Sequence, residues 1–378
     1  MLLSKALRDR ENGLTQSRIV LAFFVLFDHT YAINGEIRPN LGSLPISLSE
    51  IAVWLFIFMS GLLCCRSAER HSARRYLALR LGRLMPGYWA CLLLTGLLFM
   101  PVMHWIGLSG QQSLAQLPKT VAEFWAKNLL LTQGQFAPTG WLESLPVQAI
   151  NGSMWTLQPE FMGYIVILFL GPYLARKTKE SLLTFCSFTL IAVLYPEHLR
   201  QILDILLGGY GFELANISYI KLALFLVSGI CFYCLSEKIE LRASWAVAAT
   251  GILLTASTIH PKIFALLLPA AMPYIFITLV GLIKWPWNTK AGDISYGFYL
   301  YSFPVQQIVY TIGAGWSLIA QIITVTATVI PLAMLSWHYI EQPAMQWLNK
   351  KDSRQTRSLD AGDPGLENSL DARSVSQR

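Results

Sequence analysis

Apolar stretches close to the length of a bilayer span recur along almost the whole chain. Each of them approaches the roughly 20 residues that a helix needs to cross the hydrocarbon core. The pattern predicts ten transmembrane helices, near residues 15–34, 46–65, 85–106, 152–174, 181–196, 217–235, 243–260, 262–283, 294–313 and 317–340. We therefore expect an all-α polytopic membrane protein, with one transmembrane domain over residues 1–349. Residues 350–378 lack apolar periodicity and are predicted to be a disordered cytoplasmic tail.

The composition agrees with this class, because 54% of the residues are hydrophobic and only 13% are charged. Ordinary soluble domains contain roughly 25% charged residues. Of the 29 lysines and arginines, 23 fall on one side of the ten-span topology. Since these residues concentrate on the cytoplasmic side, both termini are predicted to be cytoplasmic, in a multi-pass protein of the inner (plasma) membrane. The net charge of +7 then reflects topology, and no nucleic-acid partner is expected.

The cysteines give no sign of a metal or redox site. All six lie in predicted spans, and the pair in "CFYC" lacks the second pair of ligands that a zinc site needs. We expect them to be small apolar packing residues, with no metal and no bound cofactor.

One long outer loop, over residues 107–150, is predicted between the third and fourth spans. Its segment "GQQSLAQLPKTVAEFWAKNLLLTQ" has spaced apolar residues that are typical of a short interfacial helix. We expect this helix to cover an outward-facing cleft.

Two ionisable side chains in the first span point in the same direction. Arg18 and His29 are eleven residues apart, which at 100° per residue is about 20° more than three full helical turns. They therefore share one face, roughly 16 Å apart along the axis, and one groove can contain both. Asp28 points about 100° away from His29. Because ionisable groups are costly in a membrane, this face is a candidate functional site.

The fourth span carries a second polar stripe at Thr156, Glu160 and Tyr164, which follow i, i+4, i+8 spacing. If this span starts at the outer surface, Glu160 and His29 lie at similar depths, roughly 10 to 12 Å below it. A carboxylate that orients an imidazole suits general-base catalysis. The same pair also suits proton transport, or a buried pair that only fixes helix packing.

Six segments, in order, resemble the acyltransferase-3 family of integral-membrane O-acyltransferases. The first is the spacing of arginine, ten residues and histidine at Arg18 and His29. The others are "WLFIFMSGLLCCR", "RRYLALRLGRLMPGYW", "NGSMWTLQPEF", "ISYGFYLYSFPVQQ" and "WHYIEQPAM". The resemblance covers nearly everything before the tail. One departure is Ser302, which stands where many members have a histidine.

The resemblance implies a reaction whose donor and acceptor come from opposite sides of the membrane. Its donor would be a cytoplasmic acyl-coenzyme A, with acetyl-CoA as the leading choice. Its acceptor would be a hydroxyl of an outer-side glycan or lipid-linked saccharide. By its motif position His29 would be the catalytic base, and the matched depth described above makes Glu160 its candidate partner. Membrane lipid is the other expected partner, and the oligomeric state is left open.

The arginines are candidates for donor binding, because guanidinium groups suit phosphates. Arg18 can hold the thioester region or the phosphates. Arg80 and Arg83 stand at i, i+3 and lead into "MPGYW", whose rings can stack on an adenine. The more distant Arg66, Arg70 and Arg74 can equally be topology anchors. The residues expected to shape the substrate cavity are Trp155, Tyr164 and Tyr296.

Three hypotheses follow from the sequence. The leading one is acyl transfer to an exported or cell-surface glycan, directly or through an acyl-histidine. The second is a proton-coupled transporter of a polar solute, although no internal repeat of the kind common in transporters is visible. The third is a scaffold for polysaccharide assembly, in which His29 would be dispensable.

Overall fold

The computed structural model describes residues 1–8, 13–40, 46–131, 134–207, 217–283 and 292–350. Within these ranges the chain is helical and forms no β-strand, which confirms the all-α prediction. Two isolated bridges join Leu2 to Glu240 and Asn40 to Ser47. The predicted tail lies outside the described residues, apart from Lys350 at the end of the last helix.

We number fourteen α-helices of the described part of the chain in chain order, and helical residues 342–350 continue the last of them beyond a π-turn. They are α1 (Leu3–Arg8), α2 (Leu14–Ile33), α3 (Leu48–Arg70), α4 (Ala73–Leu94), α5 (Met100–Trp105), α6 (Leu117–Asn128), α7 (Leu157–Ala175), α8 (Thr178–Leu194), α9 (Pro196–Leu207), α10 (Ile217–Cys234), α11 (Ala243–Ile259), α12 (Pro261–Leu282), α13 (Ser295–Ile312) and α14 (Leu318–Ser336). A helix therefore occupies each of the ten predicted span positions.

The predicted count of ten spans is nevertheless not confirmed. By length and composition, five of the described helical segments can cross a membrane: Leu48–Arg70, Ala73–Trp105, Met154–Ala175, Pro261–Leu282 and Leu318–Lys350. A sixth is possible if α8 and α9, which are bent by 104° at Tyr195, form one broken span. Helices α2 and α13 are not among these segments. Polar side chains such as Asp28 and Gln307, which the bundle buries, lower the mean hydropathy of these two helices.

Two of the long segments contain a turn of π-helix, and both turns have the same cause. The turn at Thr95–Phe99 precedes Pro101, and the turn at Trp337–Glu341 precedes Pro343. Proline lacks a backbone N–H and its ring clashes with the carbonyl four residues earlier. Widening one turn lets the helix continue past it. The second π-turn holds the buried side chain of Glu341.

The centre of the bundle is built on a close helix contact. Helices α3 and α10 meet at Gly61 and Gly229, where a Cβ atom on either glycine would collide with the backbone of the other helix. Small residues allow helices in membranes to approach in this way. Helices α2 and α7 also pack against α3, and α13 packs between α2 and α14.

The short helix predicted in the long loop is present as α6, and its location at the membrane interface stays a prediction. The indole of Trp125 donates a hydrogen bond of 2.9 Å to the carbonyl oxygen of Leu92, which holds α6 against α4. This helix does not cover the cleft as expected. The side chains that reach the cavities come from the loop that follows it, over residues 134–155.

Candidate active site

A cavity among the described residues contains the predicted donor-binding arginines, and we call it the arginine cavity. Its volume is about 350 Å³, and it lies among α2, α3, α4, α7, α13 and the C-terminal end of the last helical segment. Six predicted site residues line it: Arg18, Arg80, Arg83, Glu160, Tyr164 and Tyr296. The hydroxyl of Tyr296 donates to the carbonyl oxygen of Leu84 at 2.8 Å, which fixes this ring against α4.

Two of these arginines are held by carboxylates that the sequence analysis did not single out. Asp293, just before α13, accepts from Arg83 at 2.6 Å and from Arg18 at 3.2 Å. Arg83 also lies 3.7 Å from Glu341. Burial opposes ionisation of Asp293, but Arg83 and Arg18 hold the pKa of its carboxyl below the usual value. The carboxylates thus neutralise much of the positive charge of this pair.

Arg80 has a different environment. It forms no ion pair with a carboxylate among the described residues, and its Nε atom is buried without a hydrogen-bond partner there. Its Nη1 donates to the sulfur of Cys64 at 3.2 Å. The guanidinium also lies over the rings of Tyr76 and Tyr164, 5.9 and 6.0 Å from their centroids. Arg80 is therefore the arginine of this cavity that is best placed to receive an anionic ligand.

The second cavity, the histidine cavity, has a volume of about 530 Å³ and contains His29 and Trp155. The His29 ring packs edge-on against Phe303, with 5.3 Å between the centroids. In the described part of the chain its buried Nδ1 atom has no hydrogen-bond partner. The lining also includes Lys221, which lies 3.7 Å from Glu50, and Arg38, which lies 3.8 Å from the buried carboxylate of Asp28.

The structure does not bring His29 and Glu160 together as predicted. Glu160 lines the arginine cavity, where it accepts from Tyr164 at 2.5 Å and from Ser60 at 3.4 Å. His29 lines the other cavity. The single groove expected for Arg18 and His29 is likewise divided, since these residues lie on one helix but in separate cavities.

The two cavities meet at a thin wall. Val53 of α3 and Tyr299 of α13 line both of them. The hydroxyls of Tyr299 and Thr156 share a hydrogen bond of 2.7 Å. The wall therefore joins α3, α13 and the turn before α7.

Several other expected contributors lie elsewhere. Tyr88 of "MPGYW" bonds to the carbonyl oxygen of Asn128, and the Trp89 indole bonds to Leu129 at 3.1 Å, so neither ring faces the arginine cavity. The side chain of Ser302 donates to the carbonyl oxygen of Phe298 at 2.5 Å and lines none of the three cavities. The distant arginines that can serve as anchors, Arg66, Arg70 and Arg74, are absent from the lining of the arginine cavity.

Comparison with known proteins identifies the family of the chain. The family model described as an acyltransferase domain matches residues 11–338. An O-acetyl transferase of Shigella phage Sf6 is 28% identical over 346 residues, which cover 88% of this chain and 96% of the relative. No solved structure matches the chain. The matches favour an enzyme over the transporter and the scaffold. Because the family model spans most of its length, the chain belongs to the acyltransferase-3 family and is a membrane O-acyltransferase.

Proposed function

We propose that the protein moves an acyl group, with acetyl as the leading choice, from a cytoplasmic coenzyme A thioester to a hydroxyl of an exported or cell-surface glycan. One observation carries this proposal: a cavity rich in arginines and a cavity that holds His29 share the wall formed by Val53 and Tyr299. An anionic donor and a neutral or polar acceptor can then approach each other without occupying the same space.

The donor binds in the arginine cavity, at the cytoplasmic end of the bundle. Arg80 supplies the first contact to a phosphate, because its guanidinium has a buried Nε without a partner among the described residues. Arg18 and Arg83 share Asp293, which offsets much of their charge, so Arg80 is the main contact and these two arginines complete the polar lining. The orientation rests on the concentration of basic residues on the predicted cytoplasmic side, which also places both termini there. The host membrane is the inner (plasma) membrane.

The acceptor binds in the histidine cavity, with its reacting hydroxyl beside His29. His29 takes the hydroxyl proton while the oxygen attacks the thioester carbon. The bond between carbon and sulfur breaks, the ester forms, and the sulfur leaves with coenzyme A. The proton from the hydroxyl balances the charge of the leaving thiolate, so the products are an ester and a thiol. An acyl-histidine intermediate would use the same residue as nucleophile first.

Glu160 takes part from the donor side. Its carboxylate accepts hydrogen bonds from Tyr164 and Ser60 within the arginine cavity. The ring of Tyr164 also lies under the guanidinium of Arg80, 6.0 Å from ring centroid to guanidinium carbon. Glu160 is therefore proposed to position Tyr164 and Arg80 around the donor, and not to orient His29.

Glycan analysis of a deletion strain tests the proposed function. Mild alkali releases ester-linked acyl groups, and the released acid identifies the acyl group. We expect the deletion strain to lose one class of ester, and the wild-type gene to restore it. An unchanged set of glycan esters in the deletion strain would contradict the proposal.

A further inference from the structure

A third cavity adjoins the histidine cavity, and we call it the loop cavity. Its volume is about 540 Å³, and it lies between the loop after α6 and the start of α7 and α10. Phe136, Gln148 and Trp155 line both this cavity and the histidine cavity. The two are therefore contiguous. Each volume lies within the range of about 300 to 1,000 Å³ that is typical of small-molecule sites.

The loop cavity is lined by aromatic rings and side-chain amides. Trp155 and Tyr219 meet edge-to-face, with 5.8 Å between ring centroids. The Tyr219 hydroxyl donates to Oε1 of Gln158 at 3.4 Å. Gln135, Gln148 and Glu143 add further polar groups to the lining. Aromatic faces pack against the C–H face of a sugar ring, while amides and carboxylates can bind its hydroxyls.

Two of these amides have hydrogen-bonding atoms that lack a partner. Nε2 of Gln158, a donor, and Oε1 of Gln135, an acceptor, are buried without a hydrogen-bond partner in the described ranges. Leaving buried polar atoms unpaired is costly, so such atoms are expected to have a ligand, a water or a functional role. A sugar hydroxyl both donates and accepts. A small rotation of either amide would present it to a sugar in this cavity.

We propose that the loop cavity is a second sugar subsite, which binds the unit next to the one that is acylated. This inference rests on the proposed function, because it extends the acceptor site at His29. The acceptor is then an oligosaccharide or a polysaccharide segment with at least two adjacent sugar units. A single sugar would fill only the histidine cavity and would lose the contacts with Tyr219 and Gln158.

Acceptor length provides the test. De-O-acylated glycan from a deletion strain is cut by partial acid hydrolysis, and fragments of one, two and more sugars are offered to the purified full chain with radiolabelled acetyl-CoA. For the wild type, kcat/KM is expected to be at least about tenfold higher with the two-sugar acceptor than with the one-sugar acceptor. The one-sugar acceptor lacks one or more buried polar contacts in the loop cavity.

Variants of the loop cavity should remove this gain selectively. Tyr219→Ala and, separately, Gln158→Leu should lower kcat/KM for the two-sugar acceptor close to its value for the one-sugar acceptor. Neither change should affect the donor KM. Tyr339→Ala is the control, because Tyr339 is 76% exposed and lines none of the three cavities. An equal loss with one-sugar and two-sugar acceptors, or no loss with either, would overturn the second subsite.

A binding measurement separates this proposal from the proposed function. The same two-sugar fragments are titrated into the full chain by calorimetry, without any acyl donor. Weaker binding to Tyr219→Ala than to Tyr339→Ala supports the subsite even if no transfer occurs, which would count against the reaction only. Equal binding to the two variants counts against the subsite even where transfer is normal.

Discussion

The hydroxyls of Thr156 and Tyr299 lie 2.7 Å apart, and this hydrogen bond joins α13 to the turn before α7 at the wall between two cavities. On one side of the wall lie Arg18, Arg80 and Arg83, and on the other lies His29. In the proposed reaction, the wall is therefore the place where the donor and the acceptor meet. Because Val53 faces both cavities, its size should control that meeting.

Val53→Trp should block the wall and separate donor binding from transfer. A larger side chain fills the space through which the acyl group passes, and a displacement of about 1 Å at a reacting group can cost about a hundredfold in rate. We expect kcat to fall by about that factor, with coenzyme A affinity by calorimetry almost unchanged. Val247→Trp is the control, since Val247 is 73% exposed. Normal transfer by a well-folded Val53→Trp protein would place the passage elsewhere.

His29→Ala should abolish most of the transfer without affecting membrane insertion. Removal of a general base costs roughly 10² to 10⁴ in rate. Rates measured with purified protein, and ester content measured on the glycan, should both fall. His338→Ala should behave as wild type, because His338 is exposed and lines none of the three cavities. A His29→Ala variant with near-normal transfer would remove this residue from the mechanism.

Arg80→Gln should weaken donor binding. A lost phosphate contact in a partly wet cleft is expected to raise the donor KM about tenfold, which corresponds to roughly 1.4 kcal/mol. The acceptor KM should not change. Added salt should weaken coenzyme A binding to the wild type more than to the variant, because screening acts on the charge that was removed. The matched control is Arg74→Gln, an exposed arginine outside the cavity, and equal affinity in the two variants would contradict the assignment.

Asp293→Asn should destabilise the protein and remove a contribution to its folding stability that depends on pH in the acid range. Since burial raises the pKa of Asp293 but the two arginines lower it overall, its ion pairs stabilise the folded state above the ordinary carboxyl pKa of about 3.9. This stability is lost as the pH falls through the lower pKa of the folded state. Breaking a fully buried pair costs about 3 to 5 kcal/mol, and the partly exposed arginines here should make the loss smaller.

Thermal unfolding in detergent measures the effect of Asp293→Asn, with Glu237→Gln as the control. Glu237 pairs with Arg8 at the surface, where both side chains are about two-thirds exposed, so its loss should cost less than about 1 kcal/mol. If the two variants unfold at the same temperature, the network around Asp293 does not hold the bundle together.

Two introduced cysteines test the proposed orientation. Ala73→Cys, at the start of α4, should resist an impermeant thiol reagent in intact cells, whereas Ala115→Cys, before α6, should react. Both positions are exposed, and the exposed native Cys186 is first replaced by serine. The reverse labelling pattern would put the arginine cavity on the outer side and contradict the donor assignment.

The sequence predicted the helix positions well, because apolar runs of span length are a strong local signal. The apolar run correctly placed Arg18 and His29 on one helix, α2, and the 100° spacing predicted a shared groove for them. It could not reveal the wall between their cavities, because that wall comes from Val53 and Tyr299, which are distant in sequence.

The predicted pairing of His29 with Glu160 failed for a different reason. Similar depth in a membrane does not fix the rotation of two helices about their axes, and the structure turns Glu160 toward Ser60 and Tyr164. Asp293 was missed because it precedes a span and resembles an ordinary loop residue. Glu341 carried a usable signal, since an ionisable side chain in an apolar helix is a functional candidate.

The wall at Val53 and Tyr299 also bears on the electrical insulation of the membrane. In the proposed orientation, two cavities approach each other from opposite faces with these side chains between them. An open channel there would leak protons and ions down a potential that is worth about 2.3 kcal/mol per elementary charge at 100 mV. A wall that admits an acyl group, while coenzyme A and the sugar chain stay on their own sides, lets the enzyme work without discharging the cell.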